Sequence, residues 1–432
     1  MDKVKEFLKS KLSFFVTTMK LENVENFYDV VRPLYNVAKF FGYSPFKLPQ
    51  DTSWTSVEQQ ATPFDALISI LCFVLYLFLL YTQFGIEKFY SHNNFVIDVA
   101  EDILLAYLTC TSIISTTILL ILRKQVWAII NDIASIDNKI TALGICIPFK
   151  QHYKFVVVHI TTFATLQIGA MIFTCAIQQK HYNPSMHSRF NCLQACFIYF
   201  YGIGAFSMTM SYYYLSLLAV YTRLRHVNRY LENIFTSAPD IDSKDIDRCL
   251  IVRQISKIFD GLCDIVETIN FCFSFQVMAL LAACFGFLVF CVFTLYKAII
   301  THPSNDNIYL RNLVLNLLWN CHYSIIAFTV IYAGSNLAYQ GHKTGVLVHK
   351  AIYYMNDDKA IDKLRLFSQQ LQHRTPVATC GLFPFDWTLL YSTFAASVTY
   401  LIILIQFDTS TSGSDKSFIS NETETQAHHH GH

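Results

Sequence analysis

Thr399, Ile402, Ile403 and Gln406 are the residues whose types and spacing point to chemistry, and that chemistry is the lining of a water path rather than bond making. Spacings of three, four and seven residues bring all four onto one face of a helix. They lie in the run TYLIILIQF at 399–407, which closes the last long apolar segment. A face mixing a hydroxyl, isoleucines and an amide suits hydrocarbon poorly and makes a sensible lining for a narrow water path.

Asn316, Trp319, Asn320 and Tyr323 form a second stripe at helical spacing. Amides, an indole and a phenol on one face suit a neutral ligand held by hydrogen bonds and stacking. The same amides serve equally as glue between helices, and the aromatic residues as core. Covalent chemistry has no such support. His159 and His322 stand alone in their segments, no carboxylate lies within an apolar run, and the chain has no HExxH, nucleophile elbow or P-loop. No cofactor is implied, no Cys/His cluster has metal spacing, and a net charge of +1 gives no case for nucleic acid.

The elements that must carry these stripes are membrane helices. Of 432 residues, 53% are hydrophobic and only 15% charged, where soluble domains carry about 25% charged residues. A transmembrane helix needs ~20 apolar residues. Seven stretches qualify, at 66–84, 103–122, 155–177, 191–221, 271–296, 313–336 and 387–407, none containing Asp, Glu, Lys or Arg. Intervening segments on one side hold 26 Lys and Arg and those on the other six. The positive-inside rule therefore predicts a cytoplasmic N-terminus and an extracellular C-terminus. That is the reverse of a G-protein-coupled receptor, whose Asp-Arg-Tyr and Asn-Pro-x-x-Tyr motifs are also absent. The one glycosylation sequon, at Asn421, falls on the predicted outside.

The expected organisation is an all-α integral membrane protein with seven transmembrane helices and a helical cytoplasmic anchor layer. Residues 1–63 form a cytoplasmic N-terminal segment without a cleavable signal peptide and with a short aromatic-rich helix. Residues 64–222 hold spans one to four and 271–336 spans five and six. Between them, 223–270 is an amphipathic cytoplasmic segment whose Leu250, Ile251, Ile255, Ile258, Phe259, Leu262, Ile265 and Val266 repeat at three and four. Residues 337–386 read as anchor helices, with a break at Asn356-Asp357-Asp358 and a stop before Pro376. Span seven occupies 387–407, and 408–432 reads as a disordered extracellular tail ending in a His-rich run. Most of the thirteen cysteines read as small buried hydrophobes, with a bridge among Cys175, Cys192 and Cys196 left open. Given this direction, the second stripe lies in the outer half of span six. Tyr107, Thr111, Gln194 and Tyr201 can reach its depth, with Phe285, Phe287 and Phe290 as apolar walls.

The 399–407 run, Thr-Tyr, five hydrophobic residues, Gln-Phe, resembles the C-terminal signature of insect gustatory receptors at all nine positions. The approach from Cys380-Gly381-Leu382-Phe383-Pro384-Phe385-Asp386-Trp387 and the N-terminal Pro33-Leu34 and Gly42-Tyr43-Ser44-Pro45-Phe46 are similar to the same family. The resemblance implies a tetrameric, ligand-gated, non-selective cation channel in the plasma membrane of chemosensory neurons, sharing its architecture with insect odorant receptors. It implies a final helix that lines one central pore, narrowest at Ile403 and Gln406 with Thr399, Ile402 and Phe407 nearby, and an outward-facing tastant pocket in each subunit. An isoleucine ring could close such a pore by dewetting, and four Gln amides could replace part of a cation's hydration. Asp408, with tail acids Asp415, Glu422 and Glu424, would gather cations at the mouth. Many sugar-receptor members carry an acid where this chain has Leu401, which favours a bitter-type ligand, with fructose-type and other nutrient sensing open. A non-conducting subunit that assembles with another receptor remains the alternative function.

Overall fold

The protein is represented by a computed structural model describing residues 24–43, 48, 63–85, 95–179, 186–236, 248–300, 307–355 and 358–429. Some stretches, among them 186–203 and 410–429, are described in backbone only. Ten helices occupy these residues: α1 (Phe27–Phe40), α2 (Pro63–Gly85), α3 (Phe95–Ile121), α4 (Arg123–Ala142), α5 (Phe149–Gln179), α6 (Met186–Thr236), α7 (Arg248–Ile300), α8 (Asn307–Tyr354), α9 (Asp358–His373) and α10 (Trp387–His429). Among the described residues the one departure from helix and loop is an isolated antiparallel bridge between Thr379 and Pro384.

Three helices are far longer than a bilayer requires. With 51, 53 and 48 residues, α6, α7 and α8 each exceed twice the ~20 residues of a span. The surplus of α7 is the amphipathic segment expected before span five. Ile251, Ile255, Ile258, Phe259, Leu262, Ile265 and Val266 are all buried there, while Leu250, counted with that stripe in the sequence, is exposed. In α8 the surplus buries Leu337, Leu347, Val348 and Ala351. A buried amide network ties it to α6: the Asn228 side chain donates to the Gln340 carbonyl and amide oxygens, both at 3.0 Å, and accepts from Thr344 at 2.8 Å.

These surpluses meet α1, α4 and α9 in one packed layer. Residues 123–142, in a charged stretch between spans, form α4, which buries Val126, Ile129, Ile130, Ile133, Ile136 and Ile140 at three-and-four spacing. It leaves α3 at Leu122 through a bend of 68°. Asn26 caps α1 by accepting from the Asp29 amide at 3.0 Å, and Val30, Val31, Leu34 and Ala38 are buried along that helix. Beneath Pro376, α9 ends at His373, and Phe367 packs edge-on against Phe259 of α7.

One ion pair sits wholly inside this layer. Arg223 of α6, 1% exposed, donates to the two carboxylate oxygens of Asp137 on α4 at 2.8 and 2.6 Å. The Phe27 ring of α1 covers the guanidinium at 4.7 Å. Burial pushes the Asp137 carboxyl up from its ordinary value, and Arg223 pulls it back.

Among the described residues four helices are long and apolar enough to cross a membrane, with spans at Phe149–Phe173, Arg248–Lys297, Asn316–Tyr354 and Trp387–Thr409. The bent α3–α4 pair makes a fifth if taken as one span. In α2 the described apolar stretch is the shorter Leu67–Phe78. The last helix runs on to His429, through the segment expected to be disordered.

Arg223→Ala should lower stability by about 3–5 kcal/mol, because it strands a buried carboxylate. Asp137→Leu combined with Arg223→Met should recover most of that loss, both read as thermal midpoints of the detergent-solubilised protein.

Candidate pore and ligand-binding sites

The last helix packs on one side only. Just 6% of its apolar stretch is buried, against 56% for the corresponding stretch of α7. Leu401, Leu404 and Ile405 pack with Phe290, Phe293 and Tyr296 of α7 and Leu104 of α3. At 3.6 residues per turn, Thr399, Ile403 and Gln406 project from the side opposite that contact, and all three are exposed. Ile402 and Phe407 flank them, 51% and 68% exposed. The predicted stripe is thus one continuous, outward-turned face.

Asp408 behaves differently from the expectation of a free charge at a mouth. It lies on the α7 side, 13% exposed, and pairs with Lys297 at the end of α7 at 2.6 Å. Its charge is therefore met within the subunit. The tail acids lie among residues described by backbone alone, as does Asn421.

At its other end α10 is aimed by the connector 374–386. Arg374 donates to Asp260 at 2.6 Å, Asp264 at 2.6 Å and Glu267 at 2.8 Å, an acidic stripe along α7. These carboxylates hold the guanidinium further above its ordinary value, Glu267 and Asp264 foremost. One turn on, the Asn270 amide donates to the Val377 carbonyl at 2.8 Å and accepts from the Thr379 amide at 3.2 Å. Across from α7, the connector lies against two glycines of α8. A Cβ on Gly334 would stand 2.5 Å from the Phe385 carbonyl oxygen, and one on Gly341 would stand 2.8 Å from the Pro376 ring. Asp386 then caps α10, accepting from the Thr388 and Leu389 amides at 3.0 and 3.2 Å.

The α8 stripe faces inward, as an interior site requires. Tyr323 is fully buried and stacks on Phe287 of α7 at 4.6 Å, with Trp319 6.5 Å away. The Cys284 thiol donates to the Tyr323 carbonyl at 3.2 Å. From α3, Tyr107 donates to the Ala279 carbonyl at 3.0 Å and Thr111 is buried, 3% exposed. Asn320 accepts from Ser324 at 3.2 Å, and the Asn316 amide nitrogen is buried without a hydrogen-bond partner among the described residues. The structure thus gathers Tyr107, Thr111, Phe287, Asn316, Trp319, Asn320 and Tyr323 along facing helices. Gln194 and Tyr201 lie in the part of α6 described by backbone only.

Sequence reasoning missed several partners. His159 and His322, solitary in their segments, are neighbours in space: His159 meets Ser211 at 3.1 Å, His322 meets Ser207 at 3.4 Å, and Phe163 lies 4.6 Å from one ring and 5.9 Å from the other. Three helices supply these residues, so no local spacing signalled them. Asp260, Asp264 and Glu267 did carry a signal, being acids at four and three on one helical face.

A family model for the 7tm chemosensory receptor matches residues 31–411. The chain belongs to the 7tm chemosensory receptor family. Within it, the chain is 32% identical over 161 residues to gustatory receptor 28a of Drosophila melanogaster, covering 36% of this chain and 35% of that one. It is 28% identical over 165 residues to gustatory receptor 28b of the same organism, covering 37% and 35%. To the gustatory receptor for bitter taste 66a, also from that fly, it is 25% identical over 162 residues, covering 36% and 30%. The chain thus spans about a third of the length of the curated relatives it matches. Insect olfactory receptor OR5 from Machilis hrabei has a similar structure, with a TM-score of 0.65 at 11% identity, covering 87% of this chain and 97% of that one. OR5 in complex with eugenol gives 0.61 at 13% identity with the same coverage. At such identities the likeness is one of fold. These relatives support the insect gustatory receptor that the nine-residue signature implied, and the helices of this chemosensory receptor are those of a multi-pass membrane protein.

Gly334→Ala should cost about 1–3 kcal/mol, since the added methyl meets backbone rather than a yielding side chain. Gly345→Ala, with open space around it, should leave the thermal midpoint unchanged or raise it slightly.

Proposed function

We propose that this chemosensory receptor is a ligand-gated, non-selective cation channel opened by a small tastant, with a bitter-type ligand favoured. In this reading seven helices span the plasma membrane of a chemosensory neuron, the N-terminus is cytoplasmic, and four copies surround one pore. The observation that carries it is the one-sided packing of α10. A helix this apolar, held on α7 by Leu401, Leu404 and Ile405, leaves an opposite face of Thr399, Ile403 and Gln406 that further copies would enclose. Ile403 would form the closed collar and Gln406 the point where hydration is partly replaced.

The tastant would sit in the outer half of the bundle, against Trp319, Tyr323, Phe287 and the Asn316 amide, whose unpaired nitrogen supplies a donor. OR5, of the same fold, is described in complex with eugenol, which supports a small-molecule site. The same helix that would hold the ligand carries Gly334 and Gly341 under the connector, so a shift of α8 would reach the base of α10. Binding opens the pore only to the extent that the ligand prefers the open arrangement.

A sugar-type ligand is the second reading. Leu401, where many sugar-receptor members carry an acid, packs on α7 rather than joining the outward stripe. An acid there would enter an aromatic cluster, and its absence accords with the bitter-type reading.

Expression of this chain alone in cells without endogenous receptors, with bitter compounds and sugars applied in turn, should give ligand-evoked cation current. Silence with normal surface expression would favour the non-conducting subunit instead. Ile403→Ala should raise basal current on the order of tenfold, equivalent to about 1.4 kcal/mol of closed-state preference. An unchanged leak would remove Ile403 from the gate.

A further inference from the structure

A cavity of about 300 Å³, lined by no residue of either stripe, lies where the packed layer meets the membrane helices. Its walls are apolar: Val30 and Leu34 of α1, Ile133 of α4, Val156 of α5, and Leu215 and Ala219 of α6. Arg223 contributes to the lining, but its charge is already met by Asp137. The mouth is different. Gln151, His152 and Arg225 line it on one side and Phe155, 42% exposed, on the other. None of the lining residues is acidic. Lys150 and Lys154, next to Gln151 and Phe155 in sequence, are exposed as well. The nearest acid of α1, Asp29, is paired with Arg32 at 3.2 Å.

The mouth also straddles the chain's own polarity boundary. Phe155 begins the uncharged run 155–177, Tyr221 ends the uncharged run 191–221, and cationic residues follow at once on the other side of both. An apolar chamber opening at a bilayer boundary under a cationic rim is complementary to a molecule with an apolar tail and an anionic head. A volume at the small end of ligand pockets, ~300–1,000 Å³, admits part of one tail rather than a whole lipid.

We propose that this cavity holds part of one acyl chain of an anionic membrane phospholipid, with its headgroup on Arg225 and the neighbouring lysines. The site needs α5 and α6 to be membrane helices, as in the functional reading above, but does not need the protein to conduct. Bound there, the lipid touches α1, α4, α5 and α6 together, and so joins the packed layer to the spans.

The test uses the full chain in phosphatidylcholine nanodiscs carrying a trace of phospholipid with a photoreactive diazirine in one acyl chain. The headgroup is either phosphatidylserine or phosphatidylcholine, and crosslinks are mapped by mass spectrometry. Serine-headed lipid should label cavity residues several-fold more than choline-headed lipid, and Arg225→Glu should abolish the difference. Ser216→Trp, which places an indole in the chamber, should bring cavity labelling to background with either headgroup. Labelling at Ile172, exposed on the outside of α5, should be the same throughout and reports that each variant is folded in the bilayer. Equal labelling by the two headgroups in the unmodified protein, or labelling indifferent to Ser216→Trp, would overturn the site and leave ordinary boundary lipid. If Ser216→Trp does not fold, the headgroup comparison and Arg225→Glu decide alone. Absence of labelling at Ile172 in the unmodified protein would instead count against the membrane reading itself.

Discussion

Arg374 is where the direction of the last helix is decided. A chain that leaves α9 and must start α10 has thirteen residues, 374–386, in which to turn, and almost no regular structure to hold them. Three carboxylates on consecutive turns of α7 fix the first of these residues, and the Asn270 amide fixes the backbone three to five residues on. An exposed ion pair on its own contributes little, because water already solvates both charges. Three on one guanidinium, continued by two bonds to backbone, act as a hinge plate. Gly334 and Gly341 complete it by letting the connector lie against α8 more closely than any side chain would allow.

The alternation of apolar runs and charged segments made the membrane class and the long helices legible, because hydrocarbon tolerates few other patterns. The three-and-four repeats at 250–266 likewise announced a helix extending span five, and the break around Asn356-Asp357-Asp358 announced the separation of α8 from α9. What stayed hidden was tertiary. Leu250 belongs to the repeat and yet faces outward, since a stripe shows which residues share a side but not how wide the neighbour is. The helix at 123–142 carries the same three-and-four signal in its isoleucines, but charged residues interrupt it. Lys297 and Asp408 stand 111 positions apart, as the numbering shows, and nothing in either neighbourhood marks the other as its partner. The Thr399 and Gln406 face was readable because helical periodicity alone determines it. That Asp408 points away from that face follows from the same periodicity and was obscured by its position in the chain.

The polar groups inside the bundle show two ways of living with a low dielectric. Most hydroxyls turn back on their own helix: Ser112, Thr116, Thr117, Ser211 and Thr294 each donate to the carbonyl four residues earlier. That arrangement satisfies the donor without committing it to a neighbouring helix. The histidines do commit, through Ser207 and Ser211, and so bind α5, α6 and α8 into one unit beside Trp319 and Tyr323. The Asn316 nitrogen does neither. A buried donor without an acceptor costs free energy, and a ligand that accepts from it would recover that cost.

These features give α10 an asymmetric mechanical situation. Its base is held by the connector, the far end of its apolar stretch is tied to α7 by the Lys297–Asp408 pair, and between them it touches α7 through Leu401, Leu404, Ile405 and the Tyr400 ring, edge-on to Phe285. Side chains such as Leu401, Leu404 and Ile405 slide against aromatic faces at small cost, because dispersion contacts are many, weak and non-directional. Hydrogen bonds at the two ends do not slide. Motion reaching the helix is therefore expected to bow or tilt its middle rather than translate the whole, and the middle is where Thr399 and Ile403 stand. In the proposed channel a collar closed by dewetting would need only a small change in radius to fill with water, so a modest bend of the helix would suffice. There, anchoring at both ends of the apolar stretch would not oppose gating but would confine it to Thr399 and Ile403.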